Sequence, residues 1–142
     1  MVDVRAASVD EVRQHWGFVE QGLKKVATKT FQEFIPADVF YEIRSEAVLF
    51  YWVIDRGEPA GFVVFSEKLK DSTGEKILFV EHLYLSKTDN HLLREETHEA
   101  VEKLAINAGY NCLEASSPRM GWGRLQKQFG WQPVAVVYRR YL

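Results

Sequence analysis

A chain of 142 residues with 46% hydrophobic and 27% charged residues has the length and composition of one soluble globular domain, so we expect a single domain over residues 1–142. The formal charge of −2 offers no basic surface for nucleic acid, and no apolar run reaches the roughly 20 residues that cross a bilayer, so we expect neither nucleic-acid nor membrane binding. The single cysteine, Cys112, excludes a disulfide within the chain, and the first residues carry no signal-type apolar region, so we expect a cytoplasmic protein.

The first part of the chain predicts one strand followed by two helices. Residues 2–6 alternate apolar and polar side chains, as a half-buried strand does. A helix follows with Ser8 or Asp10 as its N-cap, and its apolar residues recur three and four positions apart: Val12, Trp16, Val19, Leu23 and Val26. The stretch "IPADVFYEIRS" predicts a second, shorter helix that begins near Pro36.

Three strands come next in the chain. The run "AVLFYWVID" is rich in β-branched and aromatic residues, and the turn "RGEP" joins it to "AGFVVFSEKL", so the two runs predict a hairpin. After the turn "KDSTGEK", the run "ILFVEHLYLS" is apolar almost throughout. This pattern is typical of a strand that is covered on both faces.

The last part of the chain alternates helices and strands. A helix from about residue 90 to 108 is ended by Gly109 as its C-cap, and "NCLEAS" then predicts a strand parallel to the preceding one, in a right-handed βαβ unit. A last helix has Ser117 as N-cap and Gly130 as C-cap, and "PVAVVYRRYL" predicts a final strand. The order β-α-α-β-β-β-α-β-α-β predicts an α+β fold with a mixed sheet flanked by helices.

The order and lengths of these elements resemble the GNAT superfamily of acetyl-CoA-dependent N-acetyltransferases over the whole chain. The most specific piece is "RLQKQFGWQPVAVVYRRYL", which is similar to the closing segment of that family, where a helix ends in a phenylalanine- or leucine-glycine-aromatic step before the last strand. The hairpin "RGEPAGFVVF" resembles the family's second and third strands. The resemblance implies a GNAT-like acyl-CoA N-acyltransferase fold, acetyl-CoA as the cofactor, and a small-molecule or protein amine as the acceptor.

The resemblance also implies where acetyl-CoA would bind. In GNAT proteins the fourth strand splays from the fifth, and the pantetheine arm lies in the gap, paired with backbone groups at the end of the fourth strand. The pyrophosphate lies at the start of the next helix, where free N–H groups and the helix dipole favour an anion. The implied cofactor-binding residues are Tyr84, Leu85, Lys87, Asn90, His91, Arg94 and Ser117.

The pyrophosphate loop departs from the family pattern. The family's basic–Gly–x–Gly–x–Gly/Ala loop falls on about residues 89–94, "DNHLLR", which contain no glycine. The Cβ atoms of Leu92 and Leu93 limit close approach to the backbone, and Asp89 and Glu95 oppose a pyrophosphate by like charge.

Two functions remain open. One is an acetyltransferase with a degenerate loop. The other is a catalytically inactive GNAT-fold protein that binds a protein partner or a second copy of itself. Small diverged GNAT-like proteins with a poor cofactor loop occur in bacteriophage genomes as well, for example as accessory or virion components, and this chain resembles them.

The candidate catalytic residues lie on the predicted fourth strand. GNAT enzymes frequently place a carboxylate there as the base, and Glu81 is a charged residue in an otherwise apolar strand, which is costly unless the charge is paired or functional. His82 is the second candidate, although neighbours on a strand are expected to face opposite ways. The alternative for Glu81 is a pair with a nearby arginine. His91, Glu95 and His98 share a helix face, but we expect a solvated polar face there and no metal site.

Overall fold

The computed structural model describes residues 1–30, 33–70, 72–116 and 127–142. Its helices and strands are β1 (Val2–Ala6), α1 (Val9–Gln14), α2 (Trp16–Thr30), α3 (Pro36–Arg44), β2 (Leu49–Asp55), β3 (Glu58–Lys70), β4 (Glu75–Leu85), α4 (Leu93–Asn107) and β5 (Cys112–Ala115). Within these ranges, no helix has the length and apolar character that crossing a membrane requires.

The strands form one mixed sheet in the order β1-β2-β3-β4-β5. Neighbours from β1 to β4 are antiparallel, whereas β5 is parallel to β4. Because α4 connects these last two strands, the strand–helix–strand unit predicted for this part of the chain is confirmed. The mixed sheet with flanking helices confirms the α+β fold class.

Helices cover both faces of the sheet. In β3, Phe62 and Val64 pack with α1, α2 and α3, whereas Val63 and Phe65 pack with α4. Successive side chains of a strand point to opposite faces, so one apolar run supplies both cores. The helices contribute Val12, Val19, Leu23, Val39 and Ile43 to the first core and Leu93, Val101 and Ala105 to the second.

The first predicted helix is two helices in the structure, so that prediction was wrong at its centre. Ser8 is the N-cap of α1, and its hydroxyl accepts from the Glu11 N–H at 3.1 Å while the Glu11 side chain reaches back to Ser8, which forms a capping box. The helical run stops at His15, whose ring packs edge-on against Trp52. The apolar spacing continues across this break, so periodicity alone could not reveal it.

The predicted final strand is not formed, and this prediction is corrected. Residues 127–129 are helical and Gly130 has a positive φ of 76°, in agreement with the predicted C-cap. Residues 131–142 then run without secondary structure, and most of their large apolar side chains are exposed. The composition of residues 131–142 favours a strand. A strand forms only when it pairs with a neighbouring strand, and these residues pair with none in the described part of the chain. The predicted N-cap, Ser117, lies outside the described residues.

Candidate active site

A bulge in β4 places Glu81 and His82 on the same side of the sheet. In the ladder with β3, Val64 is opposite His82 and Phe65 is opposite Val80, so Glu81 is the extra residue. The Glu81 carboxylate accepts from the Ser66 hydroxyl at 2.6 Å and lies close enough to α3 to act on Glu42. Neighbouring strand residues were expected to face opposite sides of the sheet, and the bulge breaks this alternation at Glu81 and His82.

The surroundings of Glu81 are acidic. Partial burial raises the pKa of Glu42 on α3, and the negative charges of Glu81 and Asp38 raise this pKa further. Glu81 and Asp38 thus both act on Glu42, and the three carboxylates give this side of the β4 bulge a negative potential. Such a potential attracts a cationic group, for example an ammonium ion.

His82 is held in an apolar environment next to this carboxylate. Its ring centroid lies 4.5 Å from that of Phe34, just before α3. Burial lowers the pKa of His82, and the neighbouring Glu81 opposes this effect only in part. Its Nδ1 atom is buried and has no hydrogen-bond partner among the described residues. A neutral imidazole with an unoccupied nitrogen can accept a proton at neutral pH.

The second half of β4 extends beyond β5. The two strands pair only from Ile77 to Val80 on the β4 side, and β5 ends at Ala115. From Glu81 to Leu85, β4 pairs with β3 alone in the described ranges. The Ser86 N–H donates to the Ala60 carbonyl, and because antiparallel ladders alternate, the backbone groups of Leu85 point away from β3 towards the open side.

The side chain of Tyr84 points into the core. Its ring packs against Phe18 and Phe62, and the Lys25 ammonium lies 5.8 Å from the ring centroid. Tyr84 and Leu85 were both predicted to bind cofactor. The structure leaves Leu85 with outward backbone groups and places the Tyr84 ring under α2. Both assignments stay predictions.

The loop before α4 brings basic and acidic side chains close together. Lys87, His91 and Arg94 are all exposed at this end of the sheet. A fourth basic residue, Arg56, was not among the predicted site residues; its guanidinium donates to both carboxylate oxygens of Asp89 at 3.2 and 3.3 Å. Arg56 belongs to the β2–β3 turn. The predicted hairpin could have indicated it, because in an antiparallel arrangement the β2–β3 turn lies at the same end of the sheet as the end of β4.

Asn90 shapes the start of α4 through its side chain. Its Oδ1 accepts from the Leu92 N–H at 2.9 Å, and its Nδ2 donates to Asp55 at 3.3 Å and to Glu96 at 3.4 Å. The backbone N–H groups of Arg94 and Glu95 make no hydrogen bond in the part of the chain that the structure describes. They are the free N–H groups that a helix start offers to an anion.

Comparison with solved structures shows what this architecture is. A ribosomal-protein-alanine N-acetyltransferase from Brucella melitensis biovar Abortus superposes with a TM-score of 0.68 at 16% identity, over 100% of this chain and 97% of the other. A possible acetyltransferase from Clostridium difficile gives 0.76 at 7% identity, over 100% and 97%. A GNAT family acetyltransferase from Staphylococcus aureus gives 0.69 at 5% identity, over 99% and 98%. The chain has the GNAT acetyltransferase fold. No family model and no curated protein sequence matches it.

Two groups of backbone atoms are left unpaired at this end of the sheet in the described ranges. The free end of β4, with the outward backbone of Leu85, offers an edge for an extended pantetheine arm, and the N–H groups of Arg94 and Glu95 offer an anion site. Two acids lie beside these N–H groups, because Asp55 and Glu96 both accept from the Asn90 amide, and Glu96 also lies 3.8 Å from the ammonium of Met1. Ser117, the remaining predicted cofactor residue, lies outside the described residues.

A groove of about 590 Å³ lies at the end of the sheet opposite to the loop before α4. It is lined by the end of β1, the connection from α3 to β2, and the end of β3. Ser66, the residue that binds Glu81, contributes to this lining, as do the carboxylates Glu46 and Glu67. In the described ranges, no group of three acids, histidines or cysteines is placed to hold a metal ion.

Proposed function

We propose that this protein is an acetyl-CoA-dependent N-acetyltransferase with a degenerate pyrophosphate loop. The observation that carries the proposal is the β4 bulge, which directs Glu81 towards α3 and fixes its carboxylate against Ser66 at the point where β4 separates from β5. A charged carboxylate held at such a position supports a role as general base. The fold found in the comparisons is the fold of acetyltransferases.

Each residue has a definite task under this proposal. Acetyl-CoA, when bound, would supply a thioester whose acetyl group passes to the acceptor amine; the C–S bond would break, and CoA would leave as the thiol with the second proton of the amine. Glu81 takes the proton that the ammonium form of the acceptor must lose, directly or through a water molecule. His82, neutral because of its burial, is the second group that can take this proton. The Leu85 backbone would position the pantetheine arm, Arg56, Lys87 and Arg94 would balance the charge of the pyrophosphate, and His91 would add a hydrogen-bond donor.

The acceptor that suits this site is a cationic amine. Glu46 and Glu67 line the groove next to Ser66, and Glu42 lies on the side of Glu81. Acidic surroundings concentrate ammonium groups and stabilise them before deprotonation. The similar structures include a ribosomal-protein-alanine N-acetyltransferase and an aminoglycoside acetyltransferase from an uncultured soil metagenomic sample, whose names cite a protein amine and a small-molecule amine. Both classes of acceptor are therefore worth testing.

Calorimetric titration with acetyl-CoA and with CoA tests the cofactor assignment. We expect dissociation constants of tens of micromolar or tighter, which corresponds to about 6 kcal/mol or more of binding free energy. Arg56→Gln should weaken binding severalfold because Asp89 loses its partner and faces the anion unneutralised. The matched control is Arg44→Gln on α3, at a distance from the loop. Titrations without heat for both ligands contradict the enzyme assignment.

Glu81→Gln tests the catalytic assignment. We expect acetyl transfer to fall at least tenfold, since general base catalysis is worth about 100-fold or more and His82 compensates in part. The hydroxyl of Ser66 can still donate to the amide oxygen of glutamine, so folding should persist. Glu75→Gln, at the other end of β4, is the control that keeps the wild-type rate. Unchanged turnover in Glu81→Gln removes this residue from the mechanism.

The second candidate function is a catalytically inactive GNAT-fold protein that serves as a binding or structural component, for example one encoded by a bacteriophage. The start of α4 favours it. Asn90 already occupies one N–H group there, and Asp55, Glu95 and Glu96 surround the site where a pyrophosphate would lie. Calorimetric titrations without heat for acetyl-CoA and for CoA support this second function, and so does binding without acetyl transfer to any amine tested.

A further inference from the structure

Two aromatic residues attach the end of the chain to α4. We call residues 127–142 the C-terminal segment. Within it, Phe129 and Trp131 are half-buried, and the other residues are exposed. The Phe129 ring stacks on the His98 ring with centroids 4.1 Å apart, and the Trp131 ring meets the same histidine edge-on at 6.0 Å. The half-buried part of the C-terminal segment therefore rests on one titratable ring.

One hydrogen bond in this contact requires a neutral histidine. The Trp131 indole N–H donates to His98 Nε2 at 2.7 Å. An indole nitrogen is a donor only, so Nε2 must offer its lone pair, and the ring proton of neutral His98 then lies on Nδ1. Protonation of Nε2 would set two N–H groups against each other at this distance. The hydrogen bond and the charged form of His98 therefore exclude each other.

The charged groups that act on His98, among the described residues, lie on its own helix. Glu102 Oε2 is 3.7 Å from His98 Nδ1, and Glu99 follows His98 in the chain. The C-terminal segment faces the histidine with the Phe129 ring and the Trp131 indole, and neither group titrates between about pH 5 and pH 8. Burial lowers the pKa of His98, and the two glutamates oppose this lowering. The group that changes charge in this contact is therefore the histidine itself.

The contacts of His98 respond differently to a positive charge. The face of an aromatic ring attracts a cation, so the stack with Phe129 tolerates the charged imidazole. Glu102 gains an ion-pair partner at Nδ1. The Trp131 indole alone loses, because the nitrogen that accepted its N–H becomes a donor. A buried donor without its acceptor is costly, and the indole regains a hydrogen bond when it turns to water.

We infer that His98 is a pH-dependent switch for the C-terminal segment: the neutral ring holds Phe129 and Trp131 against α4, and proton uptake at Nε2 releases them. The rest of the fold keeps its packing when the segment leaves. The core on this face of the sheet takes its α4 side chains from a separate set, Leu93, Val101 and Ala105. Acid thus uncovers the His98 face of α4 and frees the end of the chain. This inference does not depend on acetyl transfer.

Hydrogen–deuterium exchange at a series of pH values from about 8 to about 5 measures the release. After correction for the intrinsic pH dependence of exchange, we expect the peptide that contains Phe129 and Trp131 to exchange about tenfold faster at the acid end, the factor that one ordinary hydrogen bond contributes. Peptides from β3 should keep their protection. The Trp131 indole resonance in a proton–nitrogen NMR spectrum should shift over the same range. Exchange of this peptide that is independent of pH, or that rises only together with exchange in β3, overturns the inference.

Two variants separate the switch from a general effect of acid. His98→Gln supplies an amide oxygen that can accept the Trp131 indole N–H and carries no titrating group, so the pH dependence of exchange should disappear. Trp131→Phe lacks the donor at every pH, so its segment should exchange at neutral pH as fast as the wild-type segment does in acid. His91→Gln, at an exposed histidine before α4, is the matched control and should respond like the wild type. A pH-dependent release that survives in both His98→Gln and Trp131→Phe assigns it to another group and overturns the inference.

Discussion

At the scale of single residues, the end of β4 depends on Gly61, a residue without a side chain. Gly61 lies opposite Leu85, and a Cβ atom built on it would overlap the backbone carbonyl oxygen of Tyr84. Backbone atoms in a strand cannot move aside as the tip of a flexible side chain can. Gly61 therefore keeps β3 and β4 close at the point where the proposed cofactor edge begins.

Gly61→Ala should destabilise the protein. We expect a loss of about 1–3 kcal/mol in the free energy of unfolding, the usual cost of inserting atoms into a packed site. Gly17→Ala is the matched control, because the Cβ it adds in α2 meets no atom within 4 Å apart from its chain neighbours and the backbone of its own helix. In a helix this control should gain up to about 1 kcal/mol. Urea denaturation of both variants measures the difference, and equal stabilities contradict the close-approach argument.

Part of the candidate site could be predicted from residues alone. Glu81 is conspicuous as a charge in an apolar run, and the composition of the loop showed its missing glycines. The shared orientation of Glu81 and His82 could not be predicted, because a bulge is defined by how β4 pairs with β3, which the sequence of β4 does not contain. The contact between Arg56 and Asp89 likewise joins two turns that are distant in sequence.

At the scale of elements, capping residues set the boundaries that the sequence predicted well. The capping box of Ser8 and Glu11 begins α1, and Gly109, with a φ of 84°, ends the turn after α4. These signals are local, so one sequence suffices to read them. The break at His15 and the unformed last strand are not local. The first involves Trp52 on β2, and the second requires a partner edge for residues 134–142.

Ser8→Ala should weaken α1. The hydroxyl satisfies the Glu11 N–H, and without it this donor lacks its cap, so we expect a loss of about 1 kcal/mol in the free energy of unfolding. Ser45→Ala is the matched control, since the Ser45 hydroxyl only donates to the Glu42 carbonyl at the other end of a helix. Thermal unfolding should separate the two variants by several degrees. A Ser8→Ala protein as stable as the control contradicts the role of the cap.

At the scale of the whole molecule, two half-buried histidines connect stability to pH. His82 lies between Phe34 and Glu81 on one side of the sheet, and His98 lies against Phe129 and Trp131 on α4. Burial lowers the pKa of both, although Glu81 opposes this for His82 and Glu102 and Glu99 oppose it for His98. Each of these two histidines is therefore harder to protonate in the folded chain than in the unfolded chain.

The sign of the pH dependence follows from these lowered pKa values. Below the ordinary histidine pKa of 6.5, the unfolded chain binds protons that the folded chain still excludes, so the free energy of unfolding decreases as the pH falls from 6.5 through the folded pKa values. Above 6.5 this contribution is complete and constant. Glu42 acts in the opposite direction just above its ordinary pKa of 4.5, because its folded pKa is raised.

Urea denaturation at a series of pH values from about 8 to about 5 measures this slope. The variant His82→Asn with His98→Asn should flatten it over the histidine range, because neither asparagine binds a proton there. The exposed His91 provides the matched control, since His91→Asn leaves both half-buried histidines in place and should keep the wild-type slope. A wild-type stability that is independent of pH between 6.5 and about 5, or a slope that survives both substitutions, would show that these histidines do not govern the acid sensitivity of the fold.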